Sequence, residues 1–369
     1  MSARDQFLCD RGIYLLSHSV GLPPANTSEV WQRDFLAPWR QASEENWPQW
    51  LSAVEDFRAA VSSVLAGQSA DICPQVNLSS ALTKIVGSLS LAADRSGLLC
   101  AEEDFPSMGF VLQQARTQGH ALRYLSGDLD LQNPQVWHDV LTHDVGLALI
   151  THVQSNTGRQ LPVAEITRLC RERGIISVVD VAQSVGVLPI DLGQWQADFV
   201  IGSCVKWLCG GPGAGFLWVN PDILSQCKPK DVGWFSHEAP FEFDIHSFRY
   251  ARDAMRFWGG TPSVQPFAIA ANSLETLNRV GIEQIREHNL ALTDQLLHRV
   301  PDEHCVSPRD AALRGGTVVL QYPEEQLHRI AKNLREEEVA FDLRRTGIRL
   351  SPHIYNDGEE IDAVAACLV

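Results

Sequence analysis

The stretch VVDVAQSVGVLPIDLGQWQADFVIGSCVKWLCGGPGAGFLWV, residues 178–219, constrains this chain more than any other. Asp180 ends the run that contains Val178 and Val179, and Lys206 follows Gly202-Ser203-Cys204-Val205. Both runs have the β-branched, apolar character of buried strands. A carboxylate and an ammonium at such strand ends cost free energy unless each is compensated. The two charges lie 26 positions apart, room for a crossover and one return strand, so they can approach from neighbouring strands. A buried ion pair or two unrelated surface charges would also fit that spacing.

The rest of the chain supplies a frame for such a sheet. At 369 residues it is long enough for two domains. Segments of helical period alternate with short β-branched runs, which predicts an α/β fold with a mainly parallel sheet. Helices are expected over 47–65 and 78–91, and over the segment after Phe105, with a stop at Gly119. GLALITHV, IISVVD, ADFVIGSC and AGFLWV read as strands, and LPVAEITRLCRERG reads as a helix. Beyond Pro262 one long helical stretch, 264–300, leads toward a smaller α+β region holding TVVLQYP and VAFDLRRTGIRLSP. The expected division is an N-terminal segment 1–20, a large domain 21–271 and a small domain 272–369.

Three expected strands end in polar residues: Thr151 and His152, Asp180, and Ser203. Ligands of open parallel sheets sit outside the carboxyl ends of the strands, so these residues are candidates for one site. The GGPGAG cluster is followed by the strand-like FLWV and by no GK[ST]. It therefore fits a tight turn better than a nucleotide-phosphate loop.

At these residues the chain resembles a known family. The lysine region is similar to that of fold-type I pyridoxal-phosphate (PLP) enzymes of the class V aminotransferase group, and most similar to kynureninases. DFPSMGFVLQQA, VGWFSHEAPFEF, RFWGGTPSVQ and GIRLSPHIYN resemble further kynureninase segments in the same order. The resemblance implies that Lys206 forms a Schiff base with pyridoxal 5'-phosphate and that Asp180 keeps the pyridine nitrogen protonated. It places Phe105 on the ring face, and Thr151 and Gln183 near the phenolic oxygen. Asn77 and Leu78 would offer N–H groups to the phosphate at a helix N-terminus, joined by Ser203 and Trp234. Thr261 would reach the phosphate from a second subunit, which implies a homodimer. Arg349 would grip the substrate carboxylate with its planar fork, while Arg344 and Arg345 read as surface charges.

The chain also departs from kynureninases. Gln183 stands where they have histidine, Val205 where they have tyrosine, and Met108 where they have aspartate. Leu16 and His18 replace an aspartate and an asparagine of the N-terminal motif. LREEEVAFDLRRTG lacks the cysteine that desulfurases carry ahead of the arginine. The expectation is a PLP enzyme acting on a small amino acid by transamination, β-elimination or cleavage, with kynurenine a poor substrate. True kynureninase-type hydrolysis is the alternative within the class; a cofactor-binding, non-catalytic homologue is the alternative outside it. The net charge of −15, without a block of Lys or Arg, argues against nucleic acid or an anionic membrane as partner. Nine dispersed cysteines without zinc spacing predict no metal site, and with no apolar leader at the N-terminus they suit reduced thiols in the cytoplasm.

Overall fold

The computed structural model describes residues 4–9, 12–41 and 45–368. A short strand, β1 (Ile13–Tyr14), precedes β2 (Ile72–Gln75), β3 (Gly97–Ala101), β4 (Ala121–Leu125), β5 (Val145–Thr151), β6 (Ile176–Asp180), β7 (Phe199–Ser203) and β8 (Gly215–Val219). The last seven form one sheet in the order β2-β8-β7-β6-β5-β3-β4. All pairings among β3 to β7 are parallel, and β8 is antiparallel to both β7 and β2. The expected α/β class with a mainly parallel sheet is the observed one. Strands β3, β5 and β8 are buried along their whole length, as their unbroken apolar runs require. Helices cover the sheet, and the 163–172 helix turns Val163, Ile166, Leu169 and Cys170 inward.

The helix after Phe105 runs Pro106–Ala115 and tightens into a 3-10 turn that ends at Gly119, whose φ of 92° stops it as expected. The long stretch past Pro262 is two helices, Gln265–Val280 and Ile282–Leu297, not one. Gly281 between them has a φ of 93°, which no continuing α-helix accommodates. The first of the two packs Phe267, Ala270, Leu274 and Leu277 on the large core. The second begins there with Ile282 and Ile285 and ends in a smaller core with Leu292, Leu296 and Leu297. Core membership thus changes hands inside the second helix.

The smaller core lies under a three-stranded antiparallel sheet of β9 (Val318–Leu320), β11 (Asp342–Arg344) and β12 (Gly347–Leu350). Strand β10 (Val339–Ala340) pairs instead with β1, in parallel. The N-terminal segment therefore acts as a strap. Leu15 N donates to Ala340 O at 3.0 Å, and its carbonyl accepts from Ser351 N at 3.0 Å. Further on, Gly21 N donates to Val205 O at 2.8 Å, and a Cβ at Gly21 would meet the Lys206 carbonyl oxygen at 2.2 Å. Only glycine allows the strap to lie on the lysine loop. No helix among the described residues is long and apolar enough to cross a membrane.

Candidate active site

Register brings the strand ends together. Thr151 and Asp180 are paired across β5 and β6, and Asp180 pairs with Ile201, two residues before Ser203 at the end of β7. Ser203 pairs with Gly215, and Gly215 pairs with Gln75, so the start of the 78–88 helix lies on the same edge. Asn77 is that helix's N-cap, its side chain accepting from Ser80 N at 2.9 Å. Its Oδ1 is thereby used in capping, while the Asn77 and Leu78 N–H groups remain at the positive end of the helix. Gly202 keeps β7 close to β8, because a Cβ there would lie 2.2 Å from the Phe216 ring.

Asp180 is buried, and its Oδ1 accepts from Ala182 N at 2.8 Å. Desolvation pushes its carboxyl up, partly opposed by the Ala182 N–H and by the charge of Lys206. Lys206 shows the converse: burial pushes its ammonium down, against the pull of Asp180, and Arg349 and Arg344 add to the depression. The Lys206 Nζ lies 5.6 Å from the ring centroid of Phe105, a residue that is 43 % exposed. A half-bare aromatic face beside a lysine is unusual for a core phenylalanine.

Two further features of this edge bear on what it holds. Thr151 Oγ1 is buried without a well-formed hydrogen bond. The Asp104 carboxylate faces it, accepting from Ala101 N at 2.8 Å, and burial pushes that carboxyl up to about 7. Met108, where kynureninases have aspartate, is buried in the core instead. Asp104 thus supplies this corner with a carboxylate from the loop that precedes Phe105.

Gln183 is engaged on both ends of its amide: Nε2 donates to His18 O at 3.1 Å and Oε1 accepts from Trp207 Nε1 at 3.2 Å. It locks the strap to the lysine loop. Trp207 stacks on His353, and His353 on Tyr355, at 5.7 and 5.0 Å between centroids. Arg349 is 2 % exposed and held by Asp342 and by the Ser155 carbonyl. Arg344, expected as a surface charge, also donates to Asp342, at 3.2 Å.

Trp234 and Thr261 lie on a separate segment. Trp234 sits among the rings of Trp47, Phe235, Phe241 and Phe243. Thr261 is exposed. Gly259 N donates to Ser236 Oγ at 2.9 Å, which joins their two loops. The Lys84 ammonium, on the 78–88 helix, donates to the carbonyls of Phe257 and Trp258 at 2.8 and 2.7 Å. Lys84 thus ties this segment to the helix whose N-terminus faces the site. Among the described residues no group of three or more His, Cys, Asp or Glu side chains is placed to hold a metal ion.

An open, mainly parallel sheet with a lysine and a carboxylate at its carboxyl edge, and a helix N-terminus beside them, is the arrangement of a fold-type I PLP enzyme. The chain belongs to the class V aminotransferase family, whose model matches residues 37–364. It is 29 % identical to a kynureninase of Shouchella clausii, over 97 % of this chain and 88 % of that relative. It is 30 % identical to a kynureninase of Deinococcus radiodurans, over 91 % and 83 %. An uncharacterized aminotransferase of Bacillus subtilis, YcbU, is 27 % identical over 87 % and 85 %. In fold, the chain is similar to the cystine C-S lyase C-DES in complex with cysteine persulfide, with a TM-score of 0.88, 22 % identity and 97 % of both chains covered. A cysteine desulfurase from Thermococcus onnurineus NA1 gives a TM-score of 0.84, at 19 % identity over 96 % of this chain and 93 % of that one.

PLP is the cofactor of this family, and the edge of the sheet suits it. The half-bare Phe105 ring and the separated Asp180 and Lys206 charges are each left incomplete by the protein alone. A flat, hydroxylated, cationic ring bearing an aldehyde and a phosphate matches that set.

Proposed function

We propose that this chain converts a small amino acid by transamination or α,β-elimination, with PLP attached to Lys206. The observation that carries the reading is geometric: buried Asp180 ends β6 beside the loop that bears Lys206, whose Nζ lies 5.6 Å from the Phe105 ring centroid, and desolvation pushes the acid up and the amine down. Bound there, the cofactor supplies an electron sink for charge developing at the substrate α-carbon. Asp180 would set its free carboxylate oxygen against the ring nitrogen and hold the proton there. Lys206, with its lowered proton affinity, would take and return a proton at the α-carbon. Phe105 would cover one ring face and Thr151 would meet the phenolic oxygen. The N–H groups of Asn77 and Leu78, with Ser203 and Trp234, would hold the phosphate, and Arg349 the α-carboxylate.

Kynurenine hydrolysis fits these residues poorly. Cleaving beside an aryl ketone needs a group that relays a proton there. Gln183 cannot do this near neutral pH, and its amide is held by His18 and Trp207. Val205 offers no proton. Proton movement at the α-carbon by Lys206 needs neither residue. The exposure of Thr261 and the apolar surface of Phe241, Phe243, Ile245 and Phe248 support a homodimer in which Thr261 serves the partner's phosphate.

The test is a screen of amino acids against the cofactor-loaded enzyme, reading the visible absorbance, with kynurenine included and anthranilate as its readout. Small amino acids are expected to change the spectrum and turn over. Anthranilate release with kcat/KM on the order of 10⁴ M⁻¹s⁻¹ or more would contradict the proposal.

A further inference from the structure

Asp342 and Arg349 are register partners on β11 and β12. Arg349 Nε donates to Asp342 Oδ2 at 2.8 Å, and Nη2 donates to the same oxygen. Nη1 donates to the Ser155 carbonyl at 2.9 Å. A guanidinium has five N–H donors in a rigid plane. These three bonds leave one N–H on each terminal nitrogen, the two that a carboxylate can take end-on with both of its oxygens.

Asp342 is itself held. Arg344 Nε donates to its Oδ2 at 3.2 Å, and His18 Nε2, on the N-terminal strap, stands 3.6 Å from that oxygen. The His18 ring is fixed from its other side, Nδ1 lying 2.6 Å from Ser351 Oγ, which is 2.8 Å from Thr317 Oγ1. Groups from β11, β12 and the strap therefore converge on one carboxylate oxygen. A carboxylate gripped this way suits orientation, not a gate that must swing aside.

We infer that Asp342 is a positioning residue: it fixes the Nε edge of Arg349 and so reserves the two terminal N–H groups for the α-carboxylate of the substrate. The inference rests on the reading that Arg349 binds that carboxylate. Without Asp342 the guanidinium can rotate about its long side chain, and the end-on pair loses its aim.

The holoenzyme is titrated with a panel of L-α-amino acids, each paired with its α-carboxamide, following the cofactor absorbance and, where there is turnover, KM and kcat. Asp342→Ala is expected to weaken amino-acid binding by about tenfold or more and to leave the carboxamides and kcat within a few-fold. Asp342→Asn retains a carbonyl oxygen that accepts from Nε and should restore most of the affinity. Tighter amino-acid binding in both variants would make Asp342 a competitor of the substrate and overturn the inference. So would an equal loss for acids and carboxamides, or a loss of thermal stability with KM unchanged. Arg349→Gln separates the two ideas. If it leaves amino-acid affinity intact, or if no amino acid binds wild type, the reading of Arg349 falls and the inference with it. If it weakens binding and Asp342→Ala does not, the inference alone falls.

Discussion

Burial drives Asp180 and Lys206 toward their neutral forms, and each resists through the charge of the other. A cationic ring nitrogen beside Asp180 would relieve that cost, so Asp180→Asn should keep the cofactor and lose about a hundredfold or more in turnover. Activity within a few-fold of wild type would contradict the role. Asp104 gives a second residue-scale test. Its carboxyl is raised from 3.8 to about 7, so the folded protein holds a proton that the unfolded chain releases between those values. The stability it contributes is present below pH 4 and lost as pH rises toward 7. With the cofactor removed, Asp104→Asn should gain melting temperature relative to wild type as pH goes from 4.5 to 8. A difference that does not change with pH would remove Asp104 from the buried edge. Lys206, Asp180, Thr151 and Ser203 were legible because strand ends in a parallel sheet point to one place. Asp104, Asp342 and His18 were not: Asp104 reads as loop charge, Asp342 as part of a polar hairpin, and His18 acquires meaning only from Ser351 and Asp342, more than 300 positions away.

At the scale of elements, β5, β6, β7 and β8 stood out in the sequence as apolar runs with turn residues behind them. The strap did not. Its two-residue strand, Ile13–Tyr14, carries no alternation to read, and its partner lies at Val339–Ala340. The break at Gly281 was also hidden, because an apolar helical period continues on both sides and a lone glycine is tolerated in many helices. The strap has a measurable consequence. Gly21 rests on the Lys206 carbonyl, so Gly21→Val must push the strap or the lysine loop away. Turnover should fall by about tenfold or more, as small misplacements of a reacting group do, while the fold persists in the circular dichroism spectrum. Unchanged kcat and cofactor affinity would show that the strap does not position the loop.

The whole molecule pairs a large core with a smaller one through the second helix past Pro262 and the strap, with the proposed site where β6, β7, the strap and β12 meet. Thr261 is exposed on a segment tied back to the 78–88 helix through Lys84, and Phe243 and Ile245 are the barest large apolar side chains nearby. Sedimentation at assay concentration should give a dimer, and Phe243→Asp with Ile245→Asp should weaken it and lower cofactor affinity together. An active monomer would remove Thr261 from the phosphate site. Borohydride reduction of the cofactor-loaded protein, followed by peptide mapping, tests directly whether PLP stands between Asp180 and Lys206. A single pyridoxyl-modified peptide is expected, bearing the modification on Lys206 and absent from Lys206→Ala. Modification of another lysine, such as Lys84, with Lys206 left free would contradict it.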